Sequence, residues 1–370
     1  MLLPTLFLPT LFAISLAAAS SYKRAVCTPD ANPDPLIDDA PAINAALKNC
    51  GDTGRVLLPV NKTYTIGSPI DLSACRACEF QINGVLKVTS DWDAWYLQSA
   101  VFIVNNVTAA IIRSDGNTGI IDGQWFGLSE GSLVPFSNIR LFSIADQSYQ
   151  IHISGLTIRN VPSTVFGVSG GSSAIRAYDI NFENEVRRGY EIQNASHVYV
   201  WNNTIRAGEM CVRAAPNATN IQFEESVCIV NGELNGGGRR SGIELNFGSS
   251  ANGAVQWVRN VFVKRVKFVG AMDAVSMKSG SDNVVTAEIF NATFTNIELE
   301  GPVRAPIYFG IGDLGDRGCG RPKCTRWNVT EATLRDFEGT AVERPALVCV
   351  DDRDVCQFKT EGWNITYQST

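Results

Sequence analysis

Histidine is nearly absent from this chain of 370 residues, which holds two, His152 and His197, against ten cysteines. So few imidazoles argue against a zinc site and leave disulfides as the reading for the cysteines, with no metal and no cofactor expected. Charge is scarce as well: 18% of residues are charged, the net charge is -6 and the isoelectric point is about 5.2. Nothing in that balance invites nucleic acid. An acidic chain also repels an acidic polymer at long range, so binding one would depend on local lysines and arginines. Helical patterning is rare. One amphipathic stretch stands out, Asp38 to Asn49, with an Asp as its N-cap and Pro41 in its first turn.

The chain opens with an apolar run, Leu2 to Ala19, that ends in Ala17-Ala18-Ala19-Ser20. Small residues at that point fit a secretory leader, although no basic residue precedes the run. It is short for a membrane anchor. Lys23-Arg24 is either a second, dibasic processing point or a chance pair. Residues 20–370 then form a single domain, expected outside the cell as a monomer. The close pairs Cys211/Cys228, Cys319/Cys324 and Cys349/Cys356 read as local staples, and Cys27 with Cys50 as a tie on the amino-terminal cap. Cys75-Arg76-Ala77-Cys78 has the spacing of a redox motif but lacks its βαβ context, and reads as a structural pair. Asn-X-Ser/Thr acceptors at Asn61, Asn106, Asn194, Asn202, Asn217, Asn291, Asn328 and Asn364 imply a glycosylated product.

From about residue 100 one short theme recurs: alternating apolar residues, a polar break, then another alternating run. Starts at Gln150, Ala174, His197 and Asn220 give steps of 24, 23 and 23 residues. A fixed period built from short period-2 strands predicts an all-β fold, a right-handed parallel β-helix with three or four strands per turn. A β-sandwich would have equally short strands but no constant coil length. The helix at 38–49 would cap the open first coil, because bare strand edges invite aggregation. The period loosens at a Gly- and Arg-rich insertion, Gly232 to Ser241, and resumes at Asn260, Glu288 and Trp327.

Three blocks carry a family resemblance. Gly189-Tyr190-Glu191-Ile192 resembles the end of the Asn-Thr-Asp-Gly-Phe-Asp-Ile block of polygalacturonases, glycoside hydrolase family 28. Gly208-Glu209-Met210-Cys211-Val212 resembles their Gly-Asp-Asp-Cys-Val, and Val275-Ser276-Met277-Lys278 their Val-Arg-Ile-Lys. Asp38-Asp39-Ala40-Pro41, Gly54 to Pro59, Ile121 to Trp125 and Ala305 to Phe309 are similar to fungal exo-acting members. The resemblance implies a secreted pectin hydrolase, exo-acting on terminal galacturonic acid by inversion. Alternatives are a rhamnosidase-type exo-hydrolase of rhamnogalacturonan and an inactive pectin-binding homologue. The implied partner is a pectic polysaccharide, with no membrane.

Carried over residue by residue, the motif puts Arg188 where the family has an Asp, Glu209 and Met210 at the Asp pair, and Ser276 and Lys278 at the Arg and Lys that grip the substrate carboxylate. The family's Gly-His-Gly falls near Ser241-Gly242. Glu209 is the candidate general acid, a role that needs it to hold a proton at working pH. Arg188, one coil away, favours the carboxylate instead, so a structural Glu209–Arg188 ion pair is the competing reading. Inversion needs acid and base about 6.5–9.5 Å apart, and coils stack at roughly 4.8 Å. The base is open between Glu191, Glu244, Asp273 and Glu233. Lys278, Arg188 and Tyr308 are the expected substrate contacts, with Arg239 and Arg240 on a basic loop at the rim. Trp95 and Trp201 are further candidates for stacking on sugar, whereas His152 and His197 read as core or face-filling.

Overall fold

The computed structural model describes residues 24–124, 139–161, 163–184, 186–230, 240–247, 254–279, 286–311, 326–345, 347 and 354–368. The expected leader, Cys319, Cys324, Cys349, Glu233 and Arg239 lie outside the described residues.

The fold is a right-handed parallel β-helix whose strands pair in parallel throughout. Three ladders run its length. Arg55, Glu79, Ile111, His152, Arg176, Tyr199, Gln222 and Phe262 are successive rungs of the first. Thr63–Ile66, Val85–Val88, Gly119–Asp122, Leu156–Arg159 and Asn181–Glu183 stack into the second. The third runs from Ile70–Asp71 through Ala100–Asn105, Arg140–Ala145, Thr164–Val168 and Val186–Ile192 to Ala305–Ile311. Its inward side stacks aromatic rings, Phe102 on Phe142 at 4.4 Å, Phe142 on Phe166 at 5.0 Å and Phe166 on Tyr190 at 4.9 Å. Each such pair adds about 0.5–1.5 kcal/mol beyond its burial. Wholly buried, Tyr190 has its hydroxyl pushed well above the usual range by desolvation.

The coils begin earlier than the repeat suggests, with Val26–Cys27 already paired to Arg55–Val56. The early coils hide because their lengths vary: Glu79, Ile111 and His152 are consecutive rungs yet stand 32 and 41 residues apart. Where the period is regular, it marks a corner. Gln150, Ala174, His197 and Asn220 all have φ between 54° and 57°, the left-handed turn that reverses side-chain direction between faces. The corner continues through Asn260 and Asn291 as an amide ladder, Asn291 Nδ2 donating to Asn260 Oδ1 and Asn260 Nδ2 to Asn220 Oδ1, each at 2.9 Å. His197 is exposed on this corner beside the Asn220 amide, and His152 is half-buried on the outer face, so neither fills the core.

Helix α1 (Ala40–Cys50) lies across the first coil, burying Ala40, Ile43, Leu47 and Cys50. Its N-cap, Asp39, makes no capping bond; it accepts instead from the backbone of Asn32 and Thr65. The neighbouring Asp38 accepts from Ala40 N at 3.0 Å and Gly67 N at 2.7 Å, tying the helix start to the coil below. Cys27 is bridged to Cys50, Cys75 to Cys78 and Cys211 to Cys228. Cys356 is also disulfide-bonded. Trp95 is fully buried, with its indole N–H turned to Thr89, which removes it from any sugar contact.

Candidate functional site

The third ladder is the face that carries the motif residues. Tyr190, Val212, Ile243, Val275 and Ile307 point inward and are buried. Strand alternation therefore turns Glu191, Arg213, Glu244, Ser276 and Tyr308, successive rungs of one column, to the outer face. Glycine shapes this face at two places. A Cβ on Gly167 would lie 2.2 Å from Arg140 Cδ, so its absence lets Arg140 cross that rung towards Glu191. A Cβ on Gly189 would lie 2.5 Å from the Cys211 carbonyl, so only glycine allows the two motif strands to approach this closely.

Charge alternates up the column. Arg140 Nη2 lies 3.7 Å from Glu191, and Arg213 Nη1 donates to Glu191 at 2.9 Å. Arg213 Nε also lies 3.5 Å from Glu244, whose other oxygen is 2.6 Å from Lys278 Nζ. Lys278 is 6% exposed and Glu244 1%, so this pair is removed from water. Lys278 is thus already matched by a carboxylate of its own chain. Asp273 is fully buried one rung from Ser241. Glu209 stays accessible, its side chain 29% exposed. Arg187 Nε donates to its Oε1 at 2.5 Å and Arg188 Nε to its Oε2 at 2.7 Å, so two guanidinium groups clamp its side chain.

The structure thus brings Glu209, Arg188, Glu191, Glu244, Lys278 and Tyr308 onto one face, and buries Asp273 beneath it. Three partners were missed from the sequence: Arg140, Arg187 and Arg213. Only Arg187 had a local signal, its adjacency to Arg188; the other two reach their partners across coils. Trp201 lies elsewhere, on the first ladder, stacked on Tyr178 at 4.3 Å.

The sequence model described as Glycosyl hydrolases family 28 matches residues 50–370. The chain belongs to glycoside hydrolase family 28. Among its relatives, endo-xylogalacturonan hydrolase A of Aspergillus tubingensis is 28% identical over 370 residues, covering 94% of this chain and 86% of that protein. A probable endo-xylogalacturonan hydrolase A of Aspergillus niger is 26% identical over the same shares. The crystal structure of the A. tubingensis endo-xylogalacturonan hydrolase superposes with a TM-score of 0.80 at 24% identity, covering 93% of each chain. The polygalacturonase of Erwinia carotovora subsp. carotovora gives 0.60 at 15%, covering 96% of each. Both likenesses show a shared fold.

Proposed function

We propose that the chain is a secreted hydrolase that cuts within galacturonan backbones bearing xylose branches, with Glu209 as its acid. The carrying observation is the accessible Glu209 carboxylate held by Arg187 and Arg188 on the outer face of the third ladder. A uronate carboxylate of the bound glycan competes for the same two guanidinium groups. When it draws them off, Glu209 is released from the clamp and can deliver a proton to the departing glycosidic oxygen. The substrate's own charge thereby switches on the acid. Met210 supplies no carboxylate at the family's second Asp position, so water is poorly activated and turnover is slow.

Endo action on a branched chain is favoured by the activities named for the relatives over the exo action expected from the opening coils. Secretion is supported by the disulfides, which persist in oxidising compartments.

A second reading, a pectin-binding protein without turnover, is favoured by the same Arg187–Glu209–Arg188 clamp if the glycan does not displace it. Size-resolved chromatography of xylogalacturonan and unbranched polygalacturonate after incubation with the purified protein separates the readings. Slow shortening of the branched polymer to intermediate sizes, abolished by Glu209→Gln, is expected. Release of monomer alone would overturn endo action, and intact polymers with retained binding would leave the second reading.

A further inference from the structure

A second groove lies on the first ladder, a different face of the solenoid. It is open, about 650 Å³ in volume, and lined among others by Tyr149, His152, Arg176, His197 and Tyr199. Both histidines of the chain are here, and no carboxylate lines it. Arg176 is exposed and makes no ion pair with a described carboxylate, unlike Arg140, Arg187, Arg188, Arg213 and Lys278 on the third ladder. Of the flanking acids, Glu79 is paired with Arg55 and Arg113, and Glu224 shares Arg265 with its neighbour Glu225. The groove therefore sets one positive charge, Arg176, beside two tyrosine rings on a chain of net charge -6.

His152, Arg176 and Tyr199 are consecutive rungs, so they repeat at roughly 4.8 Å along the solenoid axis. A column of that form suits a polymer laid along the axis better than a compact anion. Tyr149, 45% exposed, adds a ring beside the column, and the rims offer the hydroxyls of Ser173 and Ser196 and the amide of Gln150. We propose that this groove is an auxiliary binding site for a galacturonan chain, with Arg176 taking a uronate carboxylate and the tyrosines packing against sugar rings. It would hold the polymer at a distance from the cleft while other stretches of it are cut. The choice of galacturonan rests on the pectin reading above.

Affinity electrophoresis through gels containing polygalacturonate tests the site, with fully methyl-esterified galacturonan as the neutral control. Hydrolysis of a short galacturonan oligosaccharide, which reports the cleft alone, is measured in parallel. Arg176→Ser should weaken retardation roughly two- to fivefold, the effect of losing one exposed ionic contact. The double variant Tyr149→Ala/Tyr199→Ala should weaken it further, with hydrolysis of the oligosaccharide unchanged in both. Retardation equal to that of the unmodified protein in both variants, or equal retardation by the esterified polymer, would overturn the site. If no protein hydrolyses the oligosaccharide yet retardation falls in the variants, the groove stands and the catalytic reading falls.

Discussion

Lys278 Nζ lies 2.6 Å from Glu244 Oε2, and both side chains are almost wholly buried. A lysine so placed costs much to strand and offers little charge to a ligand. Removing one member of a buried pair typically destabilises by about 3–5 kcal/mol, and Arg213 Nε, 3.5 Å from Glu244, offsets part of the charge left behind here. Lys278→Met should therefore lower the urea midpoint by the equivalent of about 3 kcal/mol, and adding Glu244→Gln should restore part of that loss. A single variant as stable as the unmodified protein would mean that Lys278 is free to grip the substrate after all.

The Arg187–Glu209–Arg188 clamp leads to a prediction about discrimination. If the uronate must draw the arginines away to free Glu209, a methyl-esterified galacturonan is a poor substrate, since it carries no charge to do so. Arg188→Gln loosens the clamp without a ligand. The ratio of kcat/KM for free over esterified galacturonan should then fall about tenfold, the order of one charge-assisted hydrogen bond. An unchanged ratio would separate the clamp from recognition.

Much of the fold was legible because the solenoid writes its corners into the sequence. Gln150, Ala174, His197 and Asn220 begin the repeats and occupy the left-handed corner. The contents of the site were less legible. Arg213 reaches Glu191, 22 residues back, and Asn246, 33 residues on. Coil length varies along the chain, so register cannot be counted from the sequence, and pairing across rungs follows register. The Glu209–Arg188 pair was readable because both residues lie inside family motifs one coil apart.

The acceptor sequons have a structural origin as well. Asn61, Asn106, Asn194, Asn202, Asn217 and Asn291 all have φ between 47° and 64°. Asparagine tolerates this left-handed turn, and at every one of these except Asn106 the Ser or Thr two residues on lies in a strand. The fold by itself therefore generates Asn-X-Ser/Thr, and the number of sequons is a weak sign of glycosylation. Asn291 Nδ2 is committed to Asn260, and Asn202 Nδ2 donates to Asp179 at 2.6 Å. Glycopeptide mapping of the protein expressed through a secretory pathway should find glycans among the exposed Asn61, Asn106, Asn194, Asn217 and Asn364 and none at Asn202 or Asn291. Full occupancy at Asn291 would show that the amide ladder is dispensable.

Glu79 makes the amino-terminal coils sensitive to acid. It is 3% exposed, and burial alone would raise its carboxyl; hydrogen bonds and charge from Arg113 and Arg55 outweigh that and hold it below its ordinary value of 4.5. Because the folded state favours the ionised form more than the unfolded chain does, the stabilisation is complete above about pH 4.5 and is lost as pH falls through the lower folded value. The slope belongs to a single proton, so a variant that cannot ionise must lack it. Glu79→Gln should lower the thermal midpoint at pH 6, since it leaves Arg55 and Arg113 beside a neutral group. It should also flatten the decline between pH 5 and pH 3, which thermal unfolding at intervals across that range would reveal. A Glu79→Gln protein whose midpoint falls with acid as steeply as that of the unmodified chain would assign the acid sensitivity to other carboxylates.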